Sequence, residues 1–247
     1  MFLGINFEYL MKVFPKLIEA LPITLLLFAV SGVCLFIFGI LITLVRIRKT
    51  PVLYQIVAFI VSFIRSTPLL LQLFVIYYGL PLLLKTVGID INSWSQFSYA
   101  VIALVIHNGV YFSEIILPAY QSISKGQHDA AYSIGMTETQ KFARIIFPQV
   151  VPIILPGLGN ILVDLIKDTS ILFTIGMVDL MGKAKIIIAS DYGIGKLEVY
   201  IAIAIVYWII SAAIDKLIAR IEEHNKKFDF GKGISIKFDE KEETHLV

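Results

Sequence analysis

From Leu21 to Val45 the chain carries no charged residue. An α-helix rises about 1.5 Å per residue, and about 20 residues cross the ~30 Å hydrocarbon core of a bilayer. This run is long enough to cross. Inside a bilayer no water satisfies the backbone, so each N–H and C=O must be bonded within the spanning segment. The run therefore points to an all-α integral membrane protein. Composition agrees, with 57% hydrophobic and 16% charged residues, where soluble domains carry about a quarter charged. The net charge of +2 identifies no partner, and no nucleic-acid partner is expected. The one cysteine, Cys34, lies within the apolar run. It can form neither an intrachain disulfide nor a cysteine metal cluster, and is expected to pack as a small apolar residue.

Five spans are expected: Ala20–Val45, Pro68–Leu84, Phe97–Leu117, Val150–Ile166 and Leu197–Leu217. The stretch Ile171–Ala189 is apolar enough to cross, but Gly176, Gly182, Lys183 and Lys185 favour an irregular or re-entrant segment. Ahead of the first span, Asn6–Glu19 is mixed and weakly amphipathic, without the charged–apolar–small order of a signal peptide. Residues 1–19 are expected to form an extracellular arm, 20–220 the membrane domain and 221–247 a solvated cytosolic tail.

Basic residues set the orientation. Arg46, Arg48, Lys49 and Arg65 follow the first span, Lys125, Lys141 and Arg144 the third, and Lys216, Arg220, Lys226 and Lys227 the fifth. This places the N-terminus outside and the C-terminus in the cytosol of a multi-pass cell-membrane protein. Lys183 and Lys185 fit less well, because they fall on the outer side. Val52–Ile64 has basic residues at both ends, and is expected to be an interfacial helix or the cytosolic part of a long second helix.

Between the third and fourth spans lies a piece that reads like soluble protein, within the loop 121–149. From Gly126 to Pro148 it alternates charges with apolar positions. Ala130, Ala131 and Ile134 share one helical face, Gly135 breaks the run, and Thr137 with Gln140 forms a capping box that opens a second helix. Phe142, Ile145 and Ile146 make that helix's apolar face. A helix, a glycine turn and a helix, each with a small sticky face, suit either a membrane-surface hairpin or a docking element for a soluble partner.

Asp129-Ala130-Ala131, then Gly135, Ile145 and Phe147-Pro148, resembles the EAA loop of ABC-importer permeases, with Asp for Glu and Phe for Leu. Gly126-Gln127 ahead of it is similar to the polar amino acid branch, the histidine/glutamine/cystine-type permeases. So are Arg65-Ser66-Thr67-Pro68-Leu69-Leu70 with Gln72-Leu73-Phe74, and Lys167-Asp168-Thr169-Ser170. The resemblance covers about Phe63 to Ser170. It implies a type I ABC importer permease fold whose loop is a coupling helix, seated through Gly126, Gln127, Asp129, Ala130, Ala131, Gly135, Ile145 and Pro148 on a cytosolic ATPase. It also implies a second permease copy or sister permease, a solute-binding protein outside the membrane, and alternating access driven by ATP. The chain has no phosphate-binding loop of the G-x-x-x-x-G-K-[ST] type. ATP and Mg are therefore expected on the partner, with no cofactor in this chain, which is expected to be a transport subunit and no enzyme.

Charges within spans cost about 2.5–3.5 kcal/mol each on insertion scales, and usually face a cavity or pair internally. Asn160, Asp164, Lys167 and Asp168 fall on one face of the fourth span, followed by Thr169 and Ser170. Pro156, Gly157 and Gly159 are expected to loosen the helix. Asp and Lys together suit the two charges of an amino acid, and an internal Asp164–Lys167 pair is the plainer alternative. On the third span His107, Asn108, Tyr111 and Glu114 are candidates, with His107 expected as a satisfied bundle residue and Glu114 as a structural pair. Arg65 is expected at the cytosolic mouth. An importer subunit for a polar amino acid is the favoured function, and overall likeness points to L-cystine. An ion-gradient-driven secondary transporter, with His107 and Asp164 as relay, is the alternative. A membrane scaffold recruiting an enzyme through the hairpin is a third.

Overall fold

The structure, a computed structural model, describes residues 6–226. Among these, helices dominate: α1 (Phe7–Ile18), α2 (Leu21–Arg48), α3 (Pro51–Ser66), α4 (Leu69–Thr86), α5 (Gln96–Gln121), α6 (Lys125–Ser133), α7 (Glu138–Ile175), α8 (Leu180–Ser190) and α9 (Lys196–Lys226). Five of them, α2, α4, α5, α7 and α9, are long and apolar enough to cross a membrane. They match the five expected spans.

Lipid tails are as apolar as leucine, so membrane helices associate by close packing, and small residues at the crossings allow it. A Cβ on Gly39 of α2 would lie 2.8 Å from Phe112 Cδ1 and 2.9 Å from the Gly109 carbonyl of α5. A Cβ on Gly109 would lie 2.8 Å from Phe38 Cδ1. The same device joins α5 to α7, where Gly157 meets Ile115, and α7 to α9, where Gly159 meets Ile218, each at 2.9 Å. The expectation that these two glycines loosen the helix is therefore corrected. The helix stays α-helical from Phe147 to Asp168, and its glycines are thin points for close contact. Leu27, Leu35, Leu104, Phe112 and Leu165 fill the core between α2, α5 and α7.

The N-terminal arm is helical. It folds as α1, capped by the Asn6 side chain accepting from the Tyr9 amide. Leu10, Val13 and Leu17, spaced to share one face, bury against Leu180, Ala184, Val199 and Ala202 of α8 and α9. Glu19 pairs with Lys183 at 2.7 Å, and the Tyr9 hydroxyl donates to Asp191. Gly195, at φ +69°, leaves the room that the Tyr9 ring occupies. Lys185 donates to the Tyr200 hydroxyl at 3.0 Å and lies over the Phe173 ring at 5.0 Å. Both lysines that fitted the charge pattern poorly thus have partners.

The segment Ile171–Ala189 is not one helix long enough to cross. The end of α7, Thr169–Ile175, tightens to a 3-10 helix, Gly176 turns the chain at φ +83°, and Asp179 caps the short α8. Asp179 is wholly buried, accepts from the Gly182 amide at 2.9 Å and receives the Tyr207 hydroxyl at 3.4 Å. α3 is a separate helix, divided from α4 at extended Thr67, so α3 and α4 are not one long helix. Of the tail assigned to 221–247, residues to Lys226 continue α9. The rest lies outside the described residues.

Candidate functional site

The hairpin begins at Ser124, whose hydroxyl accepts from the Gly126 amide at 3.2 Å. α6 ends in a left-handed Gly135, φ +76°, with the Met136 amide donating back to the Ala131 carbonyl at 3.1 Å. Glycine adopts this conformation without the Cβ clash that other residues meet. The capping box is present in full. Gln140 N donates to Thr137 Oγ1 at 3.3 Å, and Thr137 N to Gln140 Oε1 at 3.0 Å.

The second arm differs from the expected separate helix. It is the first part of α7 and runs through Pro148 without a break. The reason is a π-helical turn, Phe142–Ile146, in which the Phe147 amide reaches the Phe142 carbonyl. This one-residue shift in bonding absorbs the proline that would otherwise interrupt the helix.

Two arms of such a hairpin need a cross-link, and Lys141 supplies it. Its side chain is only 7% exposed, 2.8 Å from Glu138, donates to the Tyr132 hydroxyl at 2.6 Å and lies over the Tyr132 ring at 4.1 Å. In the sequence Lys141 counted only among the basic residues after the third span, and nothing singled out Tyr132. Ala131 is wholly buried, whereas Ala130 and Ile134 are exposed. The expected shared face is thus divided: Ala131 serves the hairpin's interior. Gln127, Asp129, Ala130 and Ile134 remain open, and on the other arm Phe142 is exposed as well. Ile145 is half-buried beside Ile146, Val150 and Ala119, and Pro148 is exposed.

The second motif, Arg65 to Phe74, governs the α3–α4 junction. Pro68 cannot donate to the Ile64 carbonyl, its partner in an unbroken helix. Gln72 replaces that donor, with Nε2 at 2.8 Å from the Ile64 carbonyl and 2.9 Å from that of Thr67. Its Oε1 meets His107 Nδ1 at 3.0 Å. His107 is therefore a satisfied bundle residue, as expected, and Gln72 is a positioning residue that periodicity alone does not single out. Glu114 pairs with both Arg46 and Arg65, tying α2, α3 and α5 together.

On α7 the polar candidates separate. Asn160, Asp164 and Lys167 are exposed and continue a stripe begun by Ile153 and Pro156. Asp164 and Lys167 pair at 2.7 Å, with side chains 60% and 54% exposed. Asp168 leaves this face, because it turns inward to accept from Asn108 Nδ2 at 3.0 Å. Thr169 is wholly buried, donates to the Ile166 carbonyl at 2.8 Å and lies 3.5 Å from the Tyr207 hydroxyl. Ser170 is half-buried.

Five helices long and apolar enough to cross a membrane, one of them with an open polar stripe, define a multi-pass helical membrane protein. The chain belongs to the family described as binding-protein-dependent transport system inner membrane component, matched over residues 12–227. It is 38% identical over 210 residues to a probable amino-acid permease protein YxeN of Bacillus subtilis (strain 168), covering 84% of this chain and 90% of the relative. It is 37% identical over 213 residues to the L-cystine transport system permease protein TcyL of the same organism, covering 86% and 88%. Among solved structures, a chain of an amino acid ABC transporter crystallised with histidines superposes with a TM-score of 0.76 at 32% identity, covering 90% of this chain and 100% of that one. The inward-facing MetNI methionine ABC transporter shares the fold, with a TM-score of 0.62 at 19% identity. The chain is thus the inner-membrane permease subunit of an amino acid ABC importer, a transport component.

Proposed function

We propose that this chain lines one half of the translocation path for a polar amino acid, of which cystine is the favoured candidate, and that α6 with the start of α7 couples it to a separate cytosolic ATPase. The carrying observation is that Ala130 and Ile134 stay exposed, on a hairpin braced from within by Lys141 and Ala131. A braced element with a small apolar face transmits force from a soluble partner, because its internal contacts survive the pull. ATP and Mg bind to that ATPase, whose closure drives the paired permeases between outward and inward access. A solute-binding protein delivers the substrate from outside. The hairpin, Arg46, Arg65 and the end of α9 lie on the cytosolic side, and α1 with α8 on the outer side. The face of Asn160, Asp164 and Lys167 turns to the path shared with a second permease. A half-exposed ion pair within a span is far less costly there than against lipid.

The test is purification of the chain from its own membrane in mild detergent, with and without Ile134→Glu. A stoichiometric ATPase retained by the native chain and lost from the variant supports the coupling role. A chain that purifies alone and carries an amino acid on an ion gradient in liposomes overturns it.

A further inference from the structure

Arg46 and Arg65, the two partners of Glu114, line a cavity of about 340 Å³ between α2 and α3, together with Tyr54, Ser62 and Ser66. The Glu114 carboxylate takes one terminal nitrogen of each guanidinium. A guanidinium carries five N–H donors in a fixed fork, so both arginines keep donors for another acceptor. Two arginines against one glutamate leave a net positive charge, and Arg48 and Lys49 follow directly at the end of α2. Ser62 and Ser66 are exposed and add hydroxyl groups.

α3 also carries a row of apolar side chains facing away from the protein: Val52 at 70% exposure, Ile56 at 51%, Phe59 at 72% and Phe63 at 51%. Phe59 and Phe63 stack at 6.5 Å. Such a row is stable against acyl chains, and the cavity lies on the other side of α3, beside the basic end of α2, at headgroup depth. Basic pockets beside spans at this depth suit acidic headgroups, and planar guanidinium groups match phosphate geometry.

We propose that this cavity binds the phosphate of an anionic phospholipid. Glu114 is then a positioning residue. It holds two arginines together that would otherwise repel each other, and presents their free edges outward.

The test is native mass spectrometry of the delipidated chain given equal phosphatidylglycerol and phosphatidylcholine. The native protein is expected to retain phosphatidylglycerol by about fivefold, the equivalent of ~1 kcal/mol for one basic side chain near the headgroups. Ser62→Asp places a carboxylate in the cavity at an exposed position, and is expected to abolish the preference. Arg65→Gln is expected to reduce it strongly, and Arg48→Gln, outside the cavity, to reduce it little. Equal retention of the two lipids by the native chain overturns the site. A loss with Arg48→Gln as large as with Arg65→Gln reduces it to diffuse surface charge. Displacement of the lipid by millimolar inorganic phosphate assigns the cavity to a free anion and overturns the lipid.

Discussion

Gln72 Nε2 lies 2.8 Å from the carbonyl of Ile64, the group that Pro68 leaves without its helical donor. A buried carbonyl without a partner costs about 1–3 kcal/mol, and Gln72 is only 5% exposed. Gln72→Leu is therefore expected to lower stability by about that amount. Gln72→Glu removes the same donor and adds a charge, and is expected to be worse. Thermal unfolding of the purified variants in one detergent checks both. A Gln72→Leu protein as stable as the native one would mean that the junction holds without this bond.

Neighbouring alanines of the hairpin are expected to behave oppositely. Ala131 has no free surface, so Ala131→Trp overpacks the hairpin and costs about 1–3 kcal/mol or more. Limited proteolysis between Ser124 and Pro148 is expected to rise. Ala130 is exposed, so Ala130→Trp leaves the proteolysis pattern native while the ATPase is lost from the purified complex. Retention of the ATPase by Ala130→Trp would place the docking face elsewhere.

The spans were legible because apolar length alone identifies them. The Thr137–Gln140 box was legible because its signal is local, three residues apart. α1 was harder to read. Phe7 and Met11 are 66% and 67% exposed, so apolar residues on its outer side blur the face that packs on α8 and α9, distant in sequence. Asp168 was assigned to the stripe by helical counting. It lies at the edge of that face, next to the point where α7 tightens at Thr169, and Asn108 on another helix draws it inward. Gln72 stood in the sequence as a motif residue and Lys141 as one basic residue of a loop. Their roles arise from an orphaned carbonyl and a tyrosine on the opposite arm, which only three dimensions bring together.

The open stripe on α7 separates a transport role from a purely neutralising one. Exposed ion pairs contribute about 0–1 kcal/mol, so the Asp164–Lys167 pair has little to offer stability. The double variant Asp164→Asn with Lys167→Met is expected to insert at native levels, because both costly charges are gone together. Its uptake is expected to fall roughly tenfold, about 1.4 kcal/mol in the transport barrier. Uptake assayed alongside membrane content decides the matter. Native uptake in the double variant would mean that the pair only keeps the helix neutral.

The packing of α1 is expected to depend on pH at both extremes. The bond to Tyr9 holds the Asp191 carboxyl below its usual range, and the bond to Lys183 does the same for Glu19. For depressed carboxyls the stabilisation is present above their ordinary values and lost as pH falls through the lowered ones. At the other extreme, the hydrogen bond to Asp191, with burial second, pushes the Tyr9 phenol up to about 12. A raised phenol stabilises fully below its ordinary value near 10 and loses this as pH rises through 12. α1 is thus expected to stay docked between about pH 4 and 10 and to loosen outside that window. A spin label or fluorophore at exposed Met11 reads the loosening. Tyr9→Phe keeps the ring against Gly195 but removes the hydroxyl, and is expected to abolish the alkaline step while leaving the acid step carried by Glu19. An alkaline step that persists in Tyr9→Phe would assign it to another group.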